Sequence, residues 1–374
     1  MTMNHDRLLC NPETTAVSAS TDRSDRPRIL TGDTPTGRLH LGHWVGSLER
    51  RVALQETHDC YFILANVHAF TTRAEQAAQI REDVINITKD YLAAGIDPER
   101  STIFLQSEVP AIAELTFFFS MLLGFGRVMK NPTIKDEIRV KNLGDQYPFG
   151  FLLYAVGQTA DILTFRPEAV PVGEDQVPHI EMTREVARRF NQLYCGVSDQ
   201  VPDEGHVSAG GLFPVPRPEV GRVARLVGTD GVNKMSKSLN NAIFLSDTPK
   251  EVQKKVNKIF TGRQSADEPG DPNNVLFQYH DAFNPDRDRV AELREAYAAG
   301  QVGDGQVKKE LGASINALLE PMRERRAQFE ENDSLILDIL RTGTQRANEV
   351  AEATLELAKA RMHVSLGPRD LHFR

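Results

Sequence analysis

The feature that most constrains the fold is a series of short apolar runs that alternate with helical stretches. Residues 28–32, 60–66 and 102–106 are such runs, and a further one occupies residues 169–173. Short apolar runs bounded by polar residues or glycine are typical of buried parallel strands. The alternation therefore predicts an α/β fold, a Rossmann-type doubly wound parallel sheet.

The stretch between the second and third runs has the pattern of an amphipathic helix that ends at Gly95. Its apolar stripe consists of Ala77, Ile80, Val84, Ile87 and Tyr91. Thr72 and Glu75 have the spacing of a capping box, which predicts a helix start at this point. A strand, a helix and a second strand in this order predict a βαβ crossover.

Helical patterns dominate after residue 247. Residues 307–329 and 347–360 read as amphipathic helices, and residues 262–274, rich in Gly, Asp, Asn and Pro, predict a surface loop. A chain of 374 residues is long enough for two domains. The predicted organisation is a flexible tail over residues 1–27, a Rossmann-type domain over residues 28–247 and an α-helical domain over residues 248–374.

Composition argues against several classes of protein. No apolar run approaches the roughly 20 residues of a membrane helix, and the first 27 residues lack a secretory hydrophobic stretch, so we expect a cytoplasmic protein with no membrane partner. Cys10, Cys60 and Cys195 lie far apart without a CxxC pair, so we expect no structural zinc, iron–sulfur cluster or other bound metal. The net charge of −8 gives no sign of a nucleic-acid partner, because phosphate binding favours a basic surface.

The first motif with chemical content is residues 31–43, TGDTPTGRLHLGH, which join the first strand to a helix. Free backbone N–H groups and the helix dipole make such a junction suitable for phosphate, and its glycines let a ligand approach closely. His40 and His43 stand three residues apart, so both can face one ligand. Taken alone, such a pair is more often structural.

The second motif is residues 234–238, KMSKS, which follow the polar stretch GTDGVN. Lys234 and Lys237 stand three residues apart and can converge on one anion. A lone basic pentapeptide is usually a solvated loop.

The two motifs together, about 190 residues apart, resemble those of class I aminoacyl-tRNA synthetases. Residues 106–110, QSEVP, and 170–191, VPVGEDQVPHIEMTREVARRFN, look like the tryptophanyl-tRNA synthetase subfamily. The resemblance covers residues 28–360. It implies that L-tryptophan is activated with ATP and Mg²⁺ to tryptophanyl-adenylate and pyrophosphate, and is then transferred to tRNA(Trp).

The resemblance also implies an ATP site. Lys234 and Lys237 would stabilise charge on the pyrophosphate, Lys135 would be a further phosphate lysine, and His40 and His43 would complete the catalytic group. The implied ATP contacts are Thr34, Pro35, Thr36, Gly42, His43, Gly173, Glu174, Asp175, Val223, Lys234, Met235, Ser236, Lys237 and Ser238.

Asp161 is the implied acceptor for the indole N–H, a group that can only donate. Without the resemblance, an Asp in an apolar helix is as readily explained by a structural role, as a helix cap or a member of an ion pair, as by a binding role. Tyr154 and Gln176 match groups near the α-ammonium. The rest of the implied tryptophan pocket consists of Gln158, His68, Leu30, Gly32, Val170 and Val172.

Two departures from the family pattern keep alternatives open. Bacterial members often have Met-Ala-Ala-Asp where this chain has Gln-Thr-Ala-Asp at residues 158–161, and an aromatic residue in place of Leu30. A glutamine three residues before the aspartate is similar to the pattern of the tyrosyl branch. The sequence VGEDQ at residues 172–176 argues against membership of that branch. A tyrosyl-tRNA synthetase, a synthetase-like binding protein without catalysis and another nucleotidylyltransferase are the alternatives.

Residues 111–129 are apolar on more than one helical face, which indicates a buried core or a subunit interface. The resemblance implies a homodimer formed through this region. It also implies that the helical domain after residue 247 meets the tRNA anticodon.

Overall fold

The computed structural model of the chain describes residues 23, 26–140, 143–144, 147–223, 226–263, 265 and 268–367. Most of the tail predicted as flexible, residues 1–22 and 24–25, lies outside the described residues. Arg23, which belongs to that tail, forms an ion pair of 3.1 Å with Asp59. None of the helices in the described ranges has both the length and the apolar character needed to cross a membrane.

Five parallel strands of the described residues form one sheet, so the predicted α/β class is confirmed. The strands are β1 (Arg28–Asp33), β2 (Asp59–Leu64), β3 (Ser101–Leu105), β4 (Ala169–Val172) and β5 (Arg217–Val220). Their order across the sheet is β3-β2-β1-β4-β5. The chain therefore builds outward from β1 in one direction and then returns to β1's other side, which places the switch of direction between β1 and β4.

The sequence did not predict β5. Its residues, RPEV, include Pro218 and no apolar run, and all four are partly or fully exposed. Proline is tolerated there because β5 is an edge strand and, among the described strands, pairs only with β4. This segment becomes a strand through its pairing with β4 and not through a local apolar pattern. A search of the sequence for apolar runs therefore misses it.

Nine helices of the described chain accompany the strands up to residue 195. They are α1 (Leu41–His43), α2 (Glu49–Leu54), α3 (Asn66–Arg73), α4 (Ala77–Ala94), α5 (Pro110–Ser120), α6 (Phe125–Met129), α7 (Pro132–Val140), α8 (Phe149–Thr164) and α9 (Val177–Cys195). A π-helical turn, Trp44–Leu48, joins α1 to α2. Gly95 ends α4 with a φ of 111°, as the sequence indicated.

The predicted capping box at Thr72 is wrong. Thr72 lies inside α3, and α4 begins at Ala77 without a side-chain cap on its first turn. The physical reason is a distant partner: the side-chain oxygen of Gln106, after β3, accepts hydrogen bonds from the N–H groups of Val67 and His68. This contact satisfies orphan donors of α3 and starts that helix earlier than the local sequence suggests.

The remaining helices of the described chain come after residue 247. They are α10 (Pro249–Asn257), α11 (Val275–Phe283), α12 (Arg287–Ala298), α13 (Asp304–Ala327) and α14 (Asp333–Arg361). The described residues of the predicted loop between α10 and α11 form no helix or strand before Val275.

Of these C-terminal helices, α14 packs directly on β3, whereas α13 packs on α4. Neighbouring residues of β1 point to opposite faces, Ile29 into one hydrophobic cluster and Leu30 into the other. The first cluster also contains Leu311 of α13, and the second contains Leu355 of α14. Both cores thus cross residue 247, while the division of the chain into two functional domains there stays a prediction.

Candidate active site

A cleft of about 680 Å³ lies where the direction of the sheet switches, at the carboxyl ends of β1 and β4. This is the usual ligand position in doubly wound sheets. Most residues singled out from the sequence line it. They are Leu30, Gly32, Thr34, Thr36, His40, Gly42, His43, His68, Tyr154, Gln158, Asp161, Val170, Val172, Gly173, Asp175, Gln176, Lys234, Met235, Ser236, Lys237 and Ser238.

Four of the predicted residues do not line the cleft. Pro35 is buried, and its carbonyl accepts a hydrogen bond of 2.7 Å from Arg73. Glu174 is exposed, Val223 packs against the core, and Lys135 is exposed on α7. Their contacts with ATP remain predictions.

The two histidines form a reciprocal cap at the start of α1. Nδ1 of His40 accepts from the N–H of Gly42 at 3.2 Å, and Nδ1 of His43 accepts from the N–H of His40 at 3.1 Å. Burial lowers the pKa of His40 to about 2 and that of His43 to about 4, so both rings are neutral near pH 7. Because each Nδ1 accepts, the proton of each neutral ring is on Nε2, which leaves a donor for a ligand.

The KMSKS segment closes over the same turn. Lys234 reaches across the cleft to Asp175 after β4, with Nζ 2.9 Å from Oδ1. Burial opposes ionisation of Asp175, but Lys234 and hydrogen bonds outweigh it and lower the pKa of the carboxyl. The Nζ of Lys237 lies against Gly37, where a β-carbon would collide with it. Two ammonium groups therefore face the glycine-rich turn from one side.

Asn241 holds this segment in its loop. Its side-chain oxygen accepts from the N–H of Ser236 at 2.7 Å, and its amide donates to Asp230 at 2.9 Å and to the carbonyl of Lys234 at 3.2 Å. The side chains of Ser236 and Ser238 are themselves hydrogen bonded at 2.9 Å. Asn241 is buried, and the sequence alone did not single it out.

Asp161 lines the same cleft from α8, with only 3% of its surface exposed. Its Oδ1 accepts from Gln106 at 2.7 Å, and its Oδ2 lies 3.6 Å from Nδ1 of His68. Burial raises the pKa of Asp161 to about 7 and lowers that of His68 to about 4. The His68 contact is therefore not an ion pair at neutral pH, because the ring is uncharged.

Three further predicted residues line the wall beside Asp161. Gln158 donates to Gln176 at 3.3 Å, and the hydroxyl of Tyr154 donates to Glu137 at 3.2 Å. Burial raises the pKa of Tyr154, so its hydroxyl stays protonated. These groups supply donors and acceptors around an otherwise apolar pocket.

Sequence reasoning missed a hydrogen-bonded trio of Asp33, Arg51 and Tyr91, in which Arg51 and Tyr91 are buried and Asp33 is partly exposed. Arg51 donates to Asp33 at 2.6 Å, Tyr91 donates to the same carboxylate oxygen at 2.6 Å, and Arg51 donates to the Tyr91 hydroxyl at 3.0 Å. Burial opposes ionisation of Asp33, yet Arg51, His43 and the hydrogen bonds together lower the pKa of the carboxyl. The available signal was a charged residue, Arg51, between the apolar residues Leu48, Val52 and Leu54 of the helical segment after the turn.

Comparisons with known proteins agree with this geometry. A family model described as "tRNA synthetases class I (W and Y)" matches residues 22–320. Tryptophan--tRNA ligases of Treponema pallidum and Lactococcus lactis are 46% and 41% identical, over 91% of this chain and 98% of each relative.

A solved tryptophanyl-tRNA synthetase from Campylobacter jejuni, complexed with ADP and tryptophan, superposes with a TM-score of 0.75 at 30% identity. The match covers 90% of this chain and 99% of that one. The resemblance inferred from the two motifs is confirmed. The chain belongs to the class I tRNA synthetases of the tryptophan and tyrosine family.

Proposed function

We propose that the chain is a tryptophan--tRNA ligase, which activates L-tryptophan with ATP and transfers it to tRNA(Trp). The observation that carries this proposal is the buried carboxyl of Asp161 in the same cleft as two histidines and two lysines. An indole N–H needs an acceptor in a buried pocket, since an unpaired donor there costs about 1–3 kcal/mol. The names of the relatives favour tryptophan over tyrosine.

In the activation step a tryptophan carboxylate oxygen bonds to the α-phosphorus of ATP. The bond from that phosphorus to the bridging oxygen breaks, and the electron pair leaves with pyrophosphate. The nucleophile is already ionised, so no general base is needed. Catalysis then depends on alignment of the reactants and on stabilising the negative charge of the leaving group.

The described residues supply both requirements. Lys234 and Lys237 carry positive charge beside the turn, and the neutral rings of His40 and His43 offer N–H donors without adding charge. The ion pair between Lys234 and Asp175 is half-exposed, so it exchanges readily for contacts with phosphate.

Mg²⁺ enters this proposal as part of the MgATP substrate. It is a hard cation that prefers oxygen ligands and keeps several waters when it binds phosphates. Asp175 is the carboxylate beside the loop lysines and offers an oxygen ligand of this kind. No cluster of His, Cys, Asp and Glu able to hold a metal occurs within the described ranges.

The proposal includes a homodimer. Large apolar side chains on α5 to α8 are 64–77% exposed, which is unusual for a monomer surface. They are Phe117, Met121, Phe125, Val140 and Phe149, and we call them the apolar patch. An isologous interface between two copies would cover it.

We place the protein in the cytoplasm, where thiols stay reduced. Cys60 and Cys195 are free in the structure. The helices of residues 248–374 are proposed to meet the anticodon of the tRNA.

The test is amino-acid-dependent ATP–pyrophosphate exchange with tryptophan and with tyrosine. The wild-type chain should exchange with tryptophan, and Asp161→Ala should raise KM for tryptophan by about fivefold to 150-fold, which corresponds to a cost of about 1–3 kcal/mol. Asp203→Ala, which removes an ion-paired carboxylate outside the cleft, serves as the control and should keep KM. A preference for tyrosine would overturn the assignment of tryptophan as the substrate. If neither amino acid supported exchange, a binding protein without catalysis would be favoured.

A further inference from the structure

A buried polar cluster outside the cleft joins α4 to α13. Asp90 of α4 is completely buried, and Arg326 of α13 is 7% exposed. The guanidinium of Arg326 donates to Oδ1 of Asp90, to the side chain of Asn86 at 3.1 Å and to Glu330 at 2.8 Å. Arg326 therefore links the sheet-covering helix α4 to the C-terminal helices.

The second oxygen of Asp90 points to the active-site turn. Oδ2 accepts the backbone N–H of Leu39 at 2.7 Å. Leu39 is buried and directly precedes His40, which caps α1. One carboxylate thus holds both a helix of the C-terminal region and the residue next to the two histidines.

Stability alone is a poor explanation for this arrangement. A buried ion pair often contributes little, because removing two charges from water offsets most of their attraction. A charge-assisted hydrogen bond to a backbone N–H does fix position, however. In catalysis a displacement of about 1 Å can cost roughly 10²-fold in rate.

We propose that Asp90 and Arg326 are positioning residues for the turn that holds His40 and His43, so that the C-terminal helix α13 sets the geometry of ATP activation. This inference rests on the proposed function, which gives the turn its role with ATP. Neither side chain lines the cleft, and both act through the N–H of Leu39.

The neighbouring residue Lys89 provides a matched control. It is 5% exposed on α4, donates to the carbonyl of Glu330 at 2.8 Å and pairs with Asp333 at 2.9 Å. It therefore ties α4 to the same C-terminal helices with a buried cation. No hydrogen bond joins its side chain to the residues of the turn that the structure describes.

The first experiment compares tryptophan-dependent ATP–pyrophosphate exchange in the full-length variants Arg326→Met, Asp90→Asn and Lys89→Met. An amide offers one oxygen, so Asp90→Asn deprives either Leu39 or Arg326 of its acceptor. We expect kcat/KM for ATP to fall roughly tenfold or more in Arg326→Met and Asp90→Asn. KM for tryptophan should stay within about twofold because the Asp161 pocket is untouched, and Lys89→Met should match the wild type in both.

The second experiment measures the mobility of the turn directly and does not depend on catalytic activity. Hydrogen exchange of peptides covering residues 36–43 should be faster in Arg326→Met and Asp90→Asn than in the wild type, and unchanged in Lys89→Met. The inference would be overturned if all three variants changed the hydrogen-exchange rate of these peptides equally. It would also be overturned if the peptides exchanged at the wild-type rate in Arg326→Met. If the wild type shows no ATP–pyrophosphate exchange, the proposed function fails. Hydrogen exchange would still test whether Asp90 and Arg326 position the turn.

Discussion

At the scale of single residues, burial decides the charge of two side chains that contact each other in the cleft. Asp161 and His68 touch each other, yet burial moves their pKa values in opposite directions, to about 7 and about 4. Both shifts favour the neutral form. At pH 7 the histidine is therefore uncharged, and the carboxyl is divided between its protonated and ionised forms.

Asp161 should make the stability of the protein depend on pH. Its folded pKa of about 7 lies above the ordinary 3.8, so between these values the folded state holds a proton that the unfolded chain releases. The free energy of unfolding therefore falls as pH rises through this window. Asp161→Asn cannot titrate, and from pH 5 to pH 8 it should gain about 3 kcal/mol relative to the wild type, measured by urea unfolding. Parallel pH profiles of the two proteins would contradict the assignment.

Lys237 should act in the transition state rather than in tryptophan binding. Its ammonium lies against Gly37 in the turn, whereas Asp161 contacts Gln106 and His68. Lys237→Ala should lower kcat of exchange by roughly 10²-fold or more, as loss of one charge-stabilising donor does, with KM for tryptophan little changed. Lys250→Ala, an exposed lysine on α10, is the control. Comparable losses in kcat and tryptophan affinity would argue against this role.

At the scale of elements, close backbone contact fixes α14 on β3. Gly343 of α14 faces the carbonyl of Ile103, so near that a β-carbon would overlap the oxygen. The N–H of Leu105 also donates to Thr344 at 3.2 Å. Helix α14 was foreseen only from residue 347, because this glycine and the threonines near it interrupt the apolar pattern.

Gly343→Ala should therefore destabilise the protein. We expect a loss of about 1–3 kcal/mol in the free energy of unfolding, since α14 must move away from β3. Gly305→Ala, in the first turn of α13 with open space around it, should be neutral or stabilise by up to about 1 kcal/mol. Denaturant unfolding of both variants measures the contrast, and a neutral Gly343→Ala would mean that α14 does not approach β3 this closely.

At the scale of the whole molecule, the apolar patch predicts self-association. Phe125 is 70% exposed on α6, and burying such a side chain contributes about 1.5–3 kcal/mol. Phe125→Glu should weaken a dimer by at least about tenfold in Kd, as measured by sedimentation at micromolar concentration. Phe260→Glu changes an equally exposed phenylalanine outside the patch and should leave association intact. A wild-type chain that sediments as a monomer would exclude the homodimer.

The sequence by itself determined the parallel strands β1 to β4, helix α4 with its end at Gly95, most of α13, the second half of α14 and the two motifs of the cleft. Each of these has a local signal: apolar runs, helical periodicity, or glycine and histidine at fixed spacing. Asp161 and the loop lysines were also within reach, because the family resemblance assigns them position by position.

Only the tertiary structure decided the rest. β5 has no apolar pattern and exists because β4 offers it a partner, while the start of α3 depends on Gln106 from the end of β3. The same holds for the carboxylate of Asp90, which meets Leu39 and Arg326 from segments 51 and 236 residues away. Hydrogen-bond partners that are distant in the chain leave no periodic trace in the sequence, so their geometry is settled only when the helices pack on the sheet.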